Sequence, residues 1–255
     1  MAYTFGDSDP AERRLALVAR VFAPASEPFL TEVGRRGGRC AIDLGCGPGH
    51  TTPLVQRTLG CAETIGLDAS PRYVAAARER APEARFVAHH VLETPYPGAP
   101  ADTIYARFLV SHLEDAEQAI GCFASQLAPG GRLLLDEVET IETEEPAFRD
   151  YLGHVAALLD AEGQQLYVGP RLAERFADEP RACHNALRRL PVDPVDAGGM
   201  FALNWETLRA NPVIVSRTTA PEREALAHAL SAHSEGRGAP AEITWGLRQV
   251  ALEAR

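Results

Sequence analysis

Apolar positions in this chain recur in two ways, as short continuous runs and as stretches spaced by three and four. Ala11–Phe22 has apolar side chains at 15, 18 and 22 and predicts a helix, with Pro24 and Pro28 interrupting it before a second helix that ends at Val33. Buried strands are expected at 39–44, 62–67, 85–88, 103–106 and 132–138, the last entered through Pro129-Gly130-Gly131. Between them, helices are expected from Thr51, from Pro71 to Arg80 behind a Ser70 cap, and over 114–127. Short buried strands alternating with helices predict an α/β fold: a doubly wound, seven-stranded, mostly parallel sheet with helices on both faces. Ligands of such sheets sit beyond the carboxyl ends of the strands.

After Val138 the pattern changes. Glu142, Glu144 and Glu145 cluster before Pro146, and a helix with Tyr151, Leu152, Val155, Leu158 and Leu159 on one face is expected over 147–162. Tyr167-Val168-Gly169-Pro170 leads into a helix to 177; others are expected over 196–209 and 222–232, with strands over 182–192 and 242–252. The chain thus reads as one domain, 1–255, with its core at about 37–140, 181–195 and 241–255. Helical lid or substrate insertions fall at about 141–180 and 196–235, and helices within 1–36 cover the ligand site.

Two segments carry chemistry. The first strand breaks into Asp43-Leu44-Gly45-Cys46-Gly47-Pro48-Gly49-His50, and the second ends at Asp68. Glycines at 45, 47 and 49 admit a ligand where a Cβ would collide. A carboxylate at the next strand end can accept both hydrogens of a ribose diol. Together they describe a nucleoside cradle. A dinucleotide fingerprint is G-x-G-x-x-G, its third glycine opening a helix that holds pyrophosphate. Here His50 takes that glycine's place, Pro48 stands inside the turn, and Asp43 would repel phosphate while suiting a cation.

In these residues the chain resembles the class I S-adenosylmethionine-dependent methyltransferases that act on small molecules. Their first motif is an acidic residue in a strand followed by G-x-G-x-G; the likeness covers about 39–138 well and the remainder loosely. The resemblance implies a Rossmann-like fold, S-adenosylmethionine as cofactor with S-adenosylhomocysteine as product, and methyl transfer to oxygen or nitrogen of a secondary metabolite. It implies that Asp43 meets the cofactor's ammonium, directly or through water, with a capping carboxylate for the glycine turn as the alternative. It further implies that Gly45, Cys46, Gly47 and Gly49 approach its methionine and ribose, that Asp68 takes the ribose diol, and that Ala69 lies under adenine.

The family holds the adenine amine with an Asp after the third strand. Here His90 aligns there, with a free ring nitrogen to accept and the Val91 N–H to donate; Glu93 after a register change is the alternative. Arg107 falls where the methionine tail is wrapped, through its carbonyl, while Tyr3, Phe5 and Arg14 close over that tail; a solvated helix face is the alternative for Arg14. His112 is the candidate general base, against a purely structural histidine. Glu137, beside Asp136, is expected to orient the acceptor. Tyr167, Phe201, Asn204 and Trp205 are expected to line the acceptor pocket, with a core role as the alternative for Trp205. His89 and His90 point to opposite sides of a strand end, so no metal is expected.

Composition narrows the partners. A net charge of −10 without a basic stripe argues against nucleic acid. All 25 basic residues are arginine, which reads as a coding bias. Five cysteines without C-x-x-C spacing predict reduced thiols in a cytoplasm. Neither a leader nor a long apolar run is evident, so a soluble monomer or homodimer without a membrane partner is expected. Two alternatives stay open: a protein that binds S-adenosylmethionine without methylating, as a regulator or an enzyme of another reaction type, and an NAD(P) oxidoreductase, disfavoured by Pro48 and the missing glycine.

Overall fold

The computed structural model describes residues 6–255. Its strands are β1 (Cys40–Leu44), β2 (Glu63–Asp68), β3 (Arg85–Ala88), β4 (Ala101–Arg107), β5 (Leu127–Thr143), β6 (Ala182–Val192) and β7 (Ile243–Glu253). They form one sheet in the order β3-β2-β1-β4-β5-β7-β6. The first five are mutually parallel, and β7 runs antiparallel to both β5 and β6. The helices are α1 (Asp9–Val33), α2 (Thr52–Leu59), α3 (Pro71–Arg80), α4 (Ala116–Ala124), α5 (Pro146–Ala161), α6 (Gly169–Arg175), α7 (Pro194–Leu208), α8 (Pro212–Arg217) and α9 (Ala220–Ser234). Among the described residues no helix is long and apolar enough to cross a membrane.

Side-chain alternation divides the core. Ala41, Tyr105, Leu134 and Ala251 meet α1 and α2 on one face of the sheet. Ile42, Ile104, Leu133 and Val250 meet α4 and α6 on the other. β1 is buried along its whole length, as a central parallel strand covered on both faces must be.

Two expectations are corrected. Pro24 and Pro28 do not break α1, although an interior proline costs about 3 kcal/mol by removing an N–H and crowding the preceding turn. Phe22, Ala25, Phe29, Leu30 and Val33 are buried along this helix, and their packing outweighs the local preference. The second correction concerns β5, which pairs with β7 as far as Thr143 opposite Ile243. Residues 141–143, expected to begin an insertion, are therefore sheet, and the helical layer starts at Pro146 behind a Glu145 cap.

That layer has its own core. Phe148, Tyr151, Phe201, Trp205 and Leu230 pack with Phe22 of α1 and with Trp245 and Leu247 of β7. Phe148 is fully buried and meets Phe201 edge-on at 5.3 Å. Replacing it with alanine should lower stability by about 3–5 kcal/mol in chemical denaturation. An unchanged midpoint would mean that this layer is not packed as described.

Candidate active site

The carboxyl ends of β1, β2 and β4 open onto a cavity of about 540 Å³. At one end lies the turn after β1. The Gly45 and Cys46 amides donate to the Leu67 carbonyl at 2.8 and 3.0 Å, which fastens the turn to β2. Asp68 accepts from the Gly47 amide through Oδ2 and from the Ser70 amide through Oδ1, both at 2.8 Å, so its carboxylate is immobilised. Burial raises the Asp68 pKa, against the pull of those two amides.

Asp43 is 2% exposed and accepts from Thr52 Oγ1 at 2.7 Å. Burial pushes its pKa up to about 6, although the Thr52 hydroxyl and the Arg107 guanidinium favour the charged form. Arg107 donates to Thr51 Oγ1 at 2.9 Å and to Ser26 Oγ at 3.3 Å. Ser26 Oγ in turn donates to Asp136, which also accepts from the Tyr105 hydroxyl and from Gln249 Nε2. This network joins α1, the start of α2, β4, β5 and β7. Beyond the Thr51-Thr52 helix start, nothing in the sequence marks its members as partners.

The cavity gathers Arg14, Asp43, Gly45, Cys46, Gly47 and Asp68 from the expected residues. Ala69, His90, Val91, Arg107, His112, Phe201 and Asn204 line it as well. Four others lie elsewhere. Gly49 backs onto α3, where a Cβ would sit 2.7 Å from that of Ala77. Trp205 is buried in the helical core and donates its indole N–H to the Arg223 carbonyl. Tyr167 stands 36% exposed outside the lining.

Glu137 is fully buried on the other side of the sheet from Asp136, with Oε1 accepting from the Leu109 and Val110 amides at 2.7 Å each. It braces the loop that carries Leu109, Ser111 and His112 into the cavity, rather than facing it. Burial pushes its pKa up to about 8 despite those amides. Tyr3 and Phe5 lie outside the described residues.

His90 needs a correction of role. Its Nδ1 accepts from the Leu92 amide at 3.3 Å, so in the neutral ring Nε2 carries the proton. The imidazole thus offers a donor, suited to an adenine ring nitrogen and not to the amine. Glu93 does not line the cavity, and His89 turns away, its Nε2 2.9 Å from the Glu93 carbonyl. His112 Nδ1 lies 3.4 Å from Gln164 Oε1, an acceptor, which leaves Nε2 as the basic nitrogen. Burial and nearby Arg14 lower the His112 pKa to about 4, so the ring is neutral at pH 7.

The far end is apolar. Val18, Phe22, Val138, Leu152, Val155 and Met200 contribute walls that the sequence pattern placed only in helices and core. Phe108 holds a left-handed backbone, φ +52°, and meets Phe22 edge-on at 4.9 Å. Such a conformation costs on the order of 1–3 kcal/mol and persists where surroundings enforce it. Over the near end, the Tyr73 hydroxyl donates to the Gly6 carbonyl and Ser70 to Asp7, both at 2.8 Å, while Arg80 pairs with Glu12. The segment entering α1 is thereby strapped onto α3.

Comparison with known proteins agrees with this geometry. Residues 41–131, from β1 to the start of β5, match a family model described as a methyltransferase domain. Over that stretch the chain is similar to a methyltransferase domain. It is 40% identical over 114 residues to a trans-aconitate 2-methyltransferase of Delftia acidovorans, covering 44% of this chain and 42% of that one. A namesake from Afipia carboxidovorans is 30% identical over 156 residues, covering 57% and 60%. The chain thus spans about half the length of the curated relatives it matches. Among solved structures, a putative type II methyltransferase from Anaeromyxobacter dehalogenans has the same fold, with a TM-score of 0.59, 20% identity, and 90% and 95% of the two chains covered.

The glycines of the turn after β1 should separate by role. Gly47, at φ +54°, has among the described residues only Leu15 Cδ1 within reach of an added Cβ, at 3.5 Å, and lines the cavity. Gly49→Ala combines a positive φ with collision against α3, so it should lower the melting temperature more than Gly47→Ala. The reverse order in a thermal melt would contradict this division.

Proposed function

We propose that the chain transfers a methyl group from S-adenosylmethionine to an oxygen or nitrogen of a small-molecule acceptor, a secondary metabolite. The observation that carries this reading is a pair of carboxylates, Asp43 and Asp68, flanking a turn in which Gly47 leaves room for a ligand. An immobilised Asp68 suits a ribose diol, and a buried Asp43 suits a cation, whereas neither suits pyrophosphate. The names of the partial relatives support a small acceptor. Five cysteines, none in a disulfide, support a cytoplasmic setting, and the working unit is a monomer or homodimer.

When bound, S-adenosylmethionine supplies an electrophilic methyl group on a sulfonium that departs as a neutral thioether. The chain's residues hold and align the reactants, a contribution of roughly 7–11 kcal/mol when geometry is good. Asp68 takes the ribose, His90 Nε2 and the Val91 amide take adenine, Asp43 faces the ammonium, and Arg14 the methionine carboxylate. Helices α5 and α7 form the lid that excludes water from the far end. His112 Nε2 accepts the proton released as the acceptor atom forms its bond to carbon. The positive charge lost at sulfur reappears on the imidazolium, so the site's total charge is constant.

Calorimetry tests the donor. S-adenosylmethionine should bind and NAD should not. Because the Asp43 carboxyl titrates near pH 6 and a cation favours its charged form, affinity should rise as pH increases through 6, with proton release on binding. Asp43→Asn should weaken binding by about tenfold or more, equivalent to about 1.4 kcal/mol, and remove that pH dependence. Uptake of NAD alone would overturn the reading.

His112→Ala should lower kcat by about 10²–10⁴-fold with donor affinity unchanged. Wild-type kcat should be flat from pH 6 to 8, since the imidazole, with a pKa near 4, is already unprotonated there. Full turnover in the variant would remove the base role.

A further inference from the structure

The cavity is electrically lopsided, and this bears on what enters its far end. Asp43 and Asp68 stand at the near end. Around Phe22, Leu152, Val155, Met200 and Trp245 the described walls carry no formal charge, while the Arg107 guanidinium stands at their border, 5.7 Å from the Phe108 ring centroid. Polar groups there include Ser111 and two pairs: Asn204 Nδ2 donates to the Tyr151 hydroxyl at 2.5 Å, and His112 faces Gln164. His112 is neutral, for the reasons given above. Of the guanidiniums lining the cavity, Arg107 is committed to Ser26 and Thr51 beside Asp43. Arg14 is the other, and the Proposed function assigns it to the donor's carboxylate. Residues 1–5 contain no arginine, lysine or histidine.

A tricarboxylate such as trans-aconitate brings three negative charges, each needing a cationic or multiply hydrogen-bonding partner once buried. Among the described residues the far end has at its border only Arg14, near His112, and Arg107, over Phe108, too few for three carboxylates. We infer that it takes a compact, uncharged, largely apolar molecule with an isolated polar group, and that this chain differs in acceptor class from the relatives its first half resembles. Aromatic and aliphatic walls would cover the apolar body, and the His112–Gln164 or Asn204–Tyr151 pair would meet its single hydroxyl or amine. Calling this the acceptor end rests on the methyltransferase reading; the chemistry of the walls does not.

Calorimetric titration of the full chain, with and without saturating S-adenosylhomocysteine, tests the inference with two probes, 2-naphthol and trans-aconitate. The expected result is naphthol binding at least about tenfold tighter than trans-aconitate, one tenfold step being about 1.4 kcal/mol. Met200→Glu, which puts a charge into the apolar wall, should weaken naphthol by at least that factor while S-adenosylhomocysteine still binds. Trans-aconitate binding as tightly as naphthol, no naphthol binding, or naphthol binding unaltered in Met200→Glu would each overturn it. Should that variant misfold, the wild-type comparison of the two probes still decides. Failure of S-adenosylhomocysteine to bind while naphthol does would count against the donor assignment alone.

Discussion

The architecture depends on how three carboxylates are accommodated, Asp43 near the end of β1 and Asp136 and Glu137 midway along β5 beside the end of β4, where they are almost wholly buried. Taking a charged group out of water is costly unless partners replace the lost solvation. Asp136 meets that demand with Ser26, Tyr105 and Gln249, and Arg107 lies close enough to favour its charged form. Thr52 and the same arginine serve Asp43. Because those partners come from α1, α2, β4 and β7, satisfying the carboxylates also fixes how these elements meet at the mouth of the sheet. Glu137 uses backbone amides instead, and so sets the path of the loop after β4.

The functional asymmetry follows from this arrangement. One end of the cavity has carboxylates placed by strand tips and a turn. The other is built by α1, α5, α7 and the long β5–β7 arm, whose side chains are apolar. Where the two ends join, Phe108 keeps an unfavourable backbone conformation, held by its amide bond to the Asp136 carbonyl and by the ring of Phe22. A carboxylate-bearing end and an apolar end thus share one enclosure.

Much of this was legible in the sequence because its signals are local. Strand runs, the glycine turn and the acidic residue closing β2 each declare themselves within a few positions, and β6 spans 182–192 as expected. The errors arose where distant contacts decide. Pro24 and Pro28 signal a break only when α1 is considered without the two cores it packs against. Tyr151, Leu152 and Val155 have the spacing of a buried helix face, and that spacing is the same whether the face meets core or cavity. Glu137 was assigned to the site by residue type, whereas strand register turns it away, and for Trp205 the core alternative is the one the packing selects. His90 was placed correctly, but its proton is decided by the Leu92 amide.

The most direct test is a crystal structure of the full chain with S-adenosylhomocysteine. The account predicts the ribose hydroxyls within hydrogen-bonding distance of Asp68, adenine between Ala69 and His90 with Nε2 donating to a ring nitrogen, and the sulfur facing the apolar end beside His112. A nucleoside bound elsewhere, or with its ribose directed away from Asp68, would contradict it.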